Sequence, residues 1–300
     1  DHNHQSGQQT DRKQAPDEAQ KPSFSKRLIR VITLQDHNTR VPLFGTLLLG
    51  MCSGIVGTFM LLRRQALIGD VVSHAALPGV AGAFLVGEYL SPGEGKSLHA
   101  LLVGAAIAGS LAVLCTGVIR RFSKIKPDAA LATVLGVFFG LGAVLFKIAQ
   151  KTSGSRAGLD HFILGSAATM TTSDVKVIAT TSVVVVVFAL VLFKEFLILC
   201  FDEEFATANG WPTTWLDFAI MGLVVAVTVV GLQAVGVLMV ALLITPAAAA
   251  RFWTESLAKM TWIAGLIGAL SATLGTIASA LFERLAGGPT IVLAGTCFFI

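Results

Sequence analysis

Long uncharged runs, separated by short polar loops, make up most of the chain after its first forty residues. An α-helix needs roughly 20 apolar residues to cross about 30 Å of hydrocarbon. Three runs without Asp, Glu, Lys or Arg reach that length: 43–62, 98–119 and 260–282. Shorter or interrupted runs are interpreted in the same way, because flanking side chains can snorkel to the membrane surface: 71–87, 129–146, 177–193 and the run that starts at Leu285. The pattern predicts an all-α integral membrane protein built as a polytopic helix bundle.

One apolar run is too long for a single span. Residues 218–250 contain no charged side chain, and as one helix they would measure about 50 Å. The sequence VVGLQAVGVL places Gly231, Gln233 and Gly236 near the middle of this run, and we interpret it as a tight turn or a broken helix joining two spans. Irregular backbone at that depth has to be buried in protein or line a cavity. We therefore expect eight or nine transmembrane helices, with a break near Gly231 and Gly236.

The chain divides into a polar N-terminal extension, residues 1–40, and a transmembrane domain, residues 41–300. The extension is rich in Gln, Asp, Ser and Lys, which predicts disorder, and it lacks the apolar stretch of a signal peptide. His2 and His4 are side chains that can gather metal ions, but a solvated tail is the simpler interpretation. The last residue, Ile300, lies within an apolar run, so we expect a truncated C-terminus.

The composition is typical of a membrane protein and argues against a nucleic-acid partner. Hydrophobic residues make up 54% of the chain and charged residues 13%, against roughly 25% charged residues in soluble domains. The formal net charge of +4 is too small, and too concentrated at the edges of the spans, to indicate a nucleic-acid partner. The four cysteines have no CxxC spacing, so no disulfide framework is predicted.

Basic residues in short loops predict the orientation. Such loops stay in the cytoplasm, and both RRQALIGD after the first span and RRFSKIKPD after the third belong to one side. This orientation puts the N-terminal extension outside although the extension is itself basic. We favour the short loops, because long polar segments translocate largely regardless of their charge.

Asp70 and His74 in GDVVSHAALPG are four residues apart and share one helix face, with Cβ atoms about 5 to 6 Å apart. A carboxylate oxygen and an imidazole nitrogen suit divalent ions such as manganese or zinc. One pair supplies too few ligands, but two copies facing each other across a symmetry axis would supply four. In the alternative, structural interpretation, Asp70 forms a salt bridge with Arg63 or Arg64, and His74 donates to a backbone carbonyl.

Prolines mark two further positions. Pro78 removes a helix hydrogen bond and Gly79 permits close approach, so a kink beside the Asp70 and His74 pair is predicted; an ordinary transmembrane kink is the alternative. Pro246 and Arg251 in ITPAAAARFW are expected to mark a helix end at the cytoplasmic face. Gating is a second role considered for Pro246.

A polar island, KEFLILCFDEEFATANGWP, separates the fifth span from the long apolar run. It contains the signals that start and end a short helix: Asp202, Glu203 and Glu204 at the start, and Gly210 and Pro212 at the end. Phe205 and Ala206 would give this helix a compact apolar face suited to a groove of another protein, with Phe205 as the anchor. A plain interfacial helix is the alternative.

Five motifs occur in order along residues 36–300: LLRRQALIGDVVSHAALPG, KPDAALATVLGVFFGLG, GLDHF, FDEEFATANG and GLQAVGVLMVALLITPAAAARFWT. Together they resemble the permease subunit of bacterial ABC importers for manganese, zinc and iron. The resemblance implies two permease subunits, identical or homologous, that pair in the plasma membrane with cytoplasmic ABC ATPases and an extracytoplasmic metal-binding protein. It also implies that Asp70 and His74 coordinate metal in the translocation pathway, and that the 202–210 helix is a coupling helix seated in the ATPase. The N-terminal extension departs from the family pattern.

The function implied by the resemblance is ATP-driven import of a divalent transition-metal ion, manganese or zinc with iron as a third candidate, by alternating access. The chain has no Walker motif, GxxxxGK[ST], so ATP hydrolysis is expected in a partner subunit and no permanently bound cofactor is expected. The alternatives are a permease for metal chelates or cofactors, a proton-coupled metal carrier with Asp70 and His74 as the relay, and a membrane scaffold. The identity of the metal and of the second permease stays open.

Overall fold

The computed structural model describes residues 37–90, 97–152, 165, 170–282 and 286–300. Within them the chain forms these helices: α1 (His37–Leu62), α2 (Ala66–Leu90), α3 (Leu98–Phe122), α4 (Pro127–Thr152), α5 (Thr172–Val191), α6 (Phe193–Phe201), α7 (Glu203–Ala208), α8 (Thr213–Val235), α9 (Met239–Trp253), α10 (Leu257–Leu281) and α11 (Gly287–Phe299). A 3₁₀ turn, Gly236–Leu238, lies between α8 and α9. Residues 1–36 of the predicted extension and the GLDHF motif lie outside the described residues. Residues 37–40 belong to α1.

Seven described segments are long and apolar enough to cross a membrane: Arg40–Leu62, Ala66–Leu90, Leu98–Phe122, Asp128–Lys151, Thr172–Val191, Thr213–Trp253 and Leu257–Leu281. A shorter apolar helix, α11, follows them. The segment Thr213–Trp253 consists of α8 and α9, so dividing it and adding the shorter α11 gives nine apolar helices among the described residues. The all-α polytopic fold is confirmed.

The long run breaks at Gly236, as the sequence predicts. Gly236 has φ +72° and ψ −152°, a backbone conformation that favours glycine over residues with a side chain. After the 3₁₀ turn the helix restarts at Met239. A Cβ on Gly231 would meet the sulfur of Met239, so the start of α9 folds back against the end of α8.

The contacts of α8 and α9 with α1 show that the chain reverses direction at this break. Asp217, near the start of α8, forms an ion pair with Arg63, just after the end of α1. Ala247 and Ala250, in the second half of α9, cluster with Leu61 at the same end of α1. The chain thus leaves this end of the bundle along α8 and returns to it along α9.

Pro246 lies inside α9, which continues to Trp253, so the expectation that this proline marks a helix end is wrong. Arg251 does lie in the last turn of the helix. Pro246 is buried with its neighbours Leu243 and Ala247. Packing on both sides therefore holds the helix together across the backbone hydrogen bond that proline removes.

The central helix α1 packs closely against α10 at two glycines. A Cβ on Gly50 would collide with the carbonyl of Gly268, and one on Gly54 would collide with the carbonyl of Ala264. Main-chain contact of this kind is typical of small-xxx-small spacing in membrane helices. It brings the two helices together without an intervening side chain.

We expect Gly54→Ala to destabilise the bundle by about 1–3 kcal/mol, the usual cost of overpacking a core. Gly136→Ala is the matched control, because no described atom lies within 4 Å of the Cβ position of Gly136. Thermal unfolding of the purified chain in detergent measures the difference. Equal unfolding temperatures for the two variants would contradict the close packing of α1 and α10.

Candidate functional site

Asp70 and His74 lie on the same face of α2, as their spacing predicts. His74 Nε2 is 3.4 Å from Asp70 Oδ1, and the side chains are 25% and 34% exposed, respectively. The other ring nitrogen, Nδ1, is buried and has no hydrogen-bond partner in the described part of the chain. The imidazole also packs edge to face against Phe139 of α4, with ring centroids 5.3 Å apart.

His74 lines a cleft of about 590 Å³ between α2, α4 and the turn after α8. Its walls are mostly apolar and include Leu77, Phe139 and Val237, with Lys147 as the charged residue. The turn at the break in the long run therefore lies at the same cleft as the histidine. This contact joins two features that are more than 150 residues apart in the sequence.

Pro78 and Gly79 lie where α2 meets its neighbours. Pro78 is inside α2, which is continuous from Ala66 to Leu90, and a Cβ on Gly142 of α4 would lie 2.8 Å from the proline ring. Gly79 packs against the carbonyl of Gly104 in α3. The kink predicted beside the Asp70 and His74 pair stays a prediction.

One copy of the described chain does not complete a metal site. No group of three or more His, Cys, Asp or Glu side chains placed to hold a metal ion occurs among the described residues. In the alternative interpretation Asp70 forms a salt bridge with Arg63 or Arg64. Arg63 does not serve as that partner, because its guanidinium binds Glu203 and Asp217 instead. Two ligands of mixed oxygen and nitrogen type remain available to an ion that receives its other ligands from elsewhere.

The short helix α7 begins and ends where the sequence predicts. Its N-cap is Asp202, whose carboxylate accepts a hydrogen bond of 2.8 Å from the backbone N–H of Phe205. At the other end Gly210 has φ +78°, and the backbone N–H of Trp211 donates to the carbonyl of Ala206 at 3.0 Å. Both signals are local, so the sequence alone is sufficient to place this helix.

The exposed face of α7 differs from the expected one. Phe205 is 57% exposed, whereas Ala206 is 1% exposed. The prediction that both residues form an apolar face is therefore wrong for Ala206, which points into the chain. Phe205 stands instead among exposed polar neighbours such as Glu204 and Thr207.

Arg63 connects α7 to the transmembrane helices, a role that the sequence interpretation missed. Its guanidinium donates to the carbonyl of Leu199 in α6 at 3.2 Å, to Glu203 in α7 at 2.8 Å and to Asp217 in α8 at 2.8 Å. Gln65 adds a longer bond of 3.4 Å to Asp217. The sequence signal was Asp217 itself, the one charged residue between Glu204 and Arg251.

The charge of Arg63 is secure at any working pH. Burial lowers the pKa of its guanidinium, but hydrogen bonds to Glu203 and Asp217 and the charges of these carboxylates raise it by more, so the pKa lies above its ordinary value. A raised pKa means that the stabilising contribution is fully present below the ordinary value and is lost only as the pH rises beyond it. The positive charge of Arg63 is therefore lost only in strong alkali.

Two polar side chains of α8 are buried without partners. Gln233 is 7% exposed and Thr228 is fully buried, and neither the amide atoms of Gln233 nor the hydroxyl of Thr228 has a hydrogen-bond partner within the described residues. An unpaired buried polar group costs about 1–3 kcal/mol. Stability does not explain these groups, and the sequence interpretation used Gln233 only to mark the break.

Comparison with known proteins gives consistent matches over most of the chain. The sequence model of the ABC 3 transport family matches residues 35–300. The manganese transport system membrane protein MntC of Bacillus subtilis (strain 168) is 46% identical over 271 residues, which cover 90% of this chain and 61% of that protein. The zinc transport system membrane protein TroC of Treponema pallidum (strain Nichols) is 43% identical over 263 residues, 87% of this chain and 86% of that protein.

A solved structure has the same fold. PsaBC from Streptococcus pneumoniae in complex with Fab superimposes with a TM-score of 0.78 at 31% sequence identity, covering 92% of this chain and 94% of the matched chain.

We expect Arg63→Gln to lower the free energy of opening of α7 by about 1–2 kcal/mol. A hydrogen bond to a charged group contributes about 1.5–3 kcal/mol, and water screens the exposed Glu203. Arg64→Gln is the control, because Arg64 is exposed. Hydrogen exchange of the α7 amides measures the opening, and equal protection in both variants would contradict the connecting role of Arg63.

Proposed function

The chain belongs to the ABC 3 transport family, and from this membership we propose that it is the permease of an importer of divalent transition-metal ions that pass a site formed by Asp70 and His74. A membrane subunit of an ABC transporter is a multi-pass, non-catalytic transport component, so ATP is hydrolysed by a partner. Manganese and zinc are the leading substrates because the names of two similar proteins carry these metals, and iron is the third candidate. The observation that supports the proposal most directly is the 3.4 Å approach of Nε2 to Oδ1.

The donor set suits a bare ion. An ionised carboxylate and a neutral imidazole offer one oxygen and one nitrogen, which manganese and zinc both accept. Both side chains are partly exposed, so they are open to a group outside this chain. A second permease, of the same or a homologous sequence, supplies the remaining ligands across the subunit interface. The cation then offsets the cost of holding a carboxylate within the hydrocarbon layer.

Coupling to the ATPase runs through α7. Phe205 protrudes from this helix and inserts into a groove of the ATPase at the cytoplasmic face. Arg63 holds Glu203 of α7 and Asp217 of α8 at once, so a movement of α7 acts on the end of α1 and on the start of α8. Because α1 packs on α9, and both α8 and α9 contact α2, the movement reaches the helix that carries Asp70 and His74. An extracytoplasmic binding protein delivers the ion on the opposite face.

We expect Asp70→Asn and His74→Gln to lower uptake of radioactive manganese or zinc by at least about tenfold, since even the loss of an outer-shell partner costs a metal site about 10–100-fold. The matched controls are Asp128→Asn and His99→Gln, which change exposed side chains of the same types. Uptake is measured in cells after membrane levels of each variant have been equalised. Unchanged uptake of the ion in the Asp70 and His74 variants, or a loss confined to chelated metal, would refute the metal site.

We expect Phe205→Ala to weaken binding of the partner ATPase by about 2 kcal/mol, the usual contribution of an aromatic anchor at an interface. Phe44→Ala is the control, because Phe44 is 58% exposed against 57% for Phe205. Phe44 lies near the start of α1, at the end of the bundle opposite to α7. Co-purification of the ATPase with each variant measures binding. Equal recovery from the two variants would exclude Phe205 as the anchor.

A further inference from the structure

A second cleft, of about 550 Å³, lies between the end of α3 and the start of α8. It is at the end of the bundle that carries α7, because Asp217 forms part of its wall. The cleft combines a basic rim with an apolar interior, and its lining includes Leu114, Gly117, Val118, Arg120, Arg121, Phe218 and Met221. The transport proposal does not use it.

The basic rim consists of Arg120 and Arg121 in the last turn of α3. Both side chains are exposed, and neither guanidinium forms an ion pair or hydrogen bond with the described residues. The one acidic residue of the lining, Asp217, accepts hydrogen bonds from Arg63 and Gln65 through Oδ1, so its charge is already compensated. The rim therefore presents a net positive charge at the membrane edge.

The apolar interior of the cleft extends into the span. Leu114 lies eight residues before Phe122, the last residue of α3, which is about 12 Å along the helix axis. Leu114 and Val118 are 48% and 55% exposed, and Met221 of α8 faces them across the cleft. This length and polarity fit the first part of an acyl chain below a phosphate group.

We propose that the cleft binds an anionic phospholipid of the membrane leaflet on the α7 side. Its phosphate lies between Arg120 and Arg121, and one acyl chain follows Leu114, Val118 and Met221. Basic pockets between transmembrane helices on the cytoplasmic side are suited to anionic head groups. A soluble protein would reach the rim but not the apolar interior, which lies at the depth of the hydrocarbon.

The test uses the full chain, purified from membranes with its co-purifying subunits and transferred to micelles with equal amounts of phosphatidylglycerol and phosphatidylcholine. Native mass spectrometry counts the lipids retained. We expect the wild type to retain phosphatidylglycerol in preference to phosphatidylcholine. In Arg120→Gln/Arg121→Gln the retention of phosphatidylglycerol should fall about tenfold. Lys124→Gln/Lys126→Gln removes the same charge from the next loop, outside the cleft, and should change retention little.

A second pair of variants tests the apolar interior and leaves both arginines in place. Gly117→Leu should reduce retention of the lipid, because the cleft has open space at the Cβ position of Gly117 and a leucine would fill it. Gly136→Leu places the same side chain at another open position, on α4, and should leave retention unchanged.

Three outcomes would overturn the proposal. Equal losses of phosphatidylglycerol retention in the arginine and lysine double variants would show that retention depends only on general surface charge. Displacement of phosphatidylglycerol by soluble glycerol phosphate at similar concentration would indicate an anion site without a lipid chain. Loss of the co-purifying ATPase from Arg120→Gln/Arg121→Gln, with lipid retention intact, would assign the rim to a protein partner.

Discussion

Hydrocarbon offers no hydrogen-bond partners, so every backbone N–H and C=O group within the membrane has to be satisfied by the protein itself. This constraint explains why the described spans are helices and why their one interruption, at Gly236, lies within the protein. Gly236 and its neighbour Val235 are buried, and Met239 packs back on Gly231. The reversal is tolerated because other helices surround it, and it brings Val237 to the cleft that His74 lines.

Most charged side chains of the described residues lie at or near helix ends, where this constraint relaxes. Arg63 follows the last residue of α1, and its partners come from three other helices that all end or begin at the same face. A single guanidinium with several donors in a fixed plane can serve a carbonyl and two carboxylates at once. Polar bonds from Arg63 thus connect the helix ends at the membrane edge, whereas apolar and main-chain contacts hold the rest of the bundle together.

The sequence predicted those features that depend on neighbouring residues. Span lengths, the break at Gly236, the ends of α7 and the common face of Asp70 and His74 all follow from local spacing. The Arg63 and Asp217 pair joins residues 154 positions apart, so no periodicity could indicate it. The six residues of α7 are too few to fix which side faces the chain, and the burial of Ala206 was missed for that reason. Gly50 with Gly54 and Gly136 with Gly140 have identical spacing, yet only the first pair meets a neighbouring backbone.

The two carboxylates that hold Arg63 differ in their access to water. The Glu203 side chain is 57% exposed and the Asp217 side chain 25% exposed, so dissolved ions weaken the first bond more than the second. Rising ionic strength is therefore expected to weaken the bond from Arg63 to Glu203 of α7 before it weakens the bond to Asp217 of α8. High salt would loosen α7 while Arg63 stays bound to the transmembrane bundle.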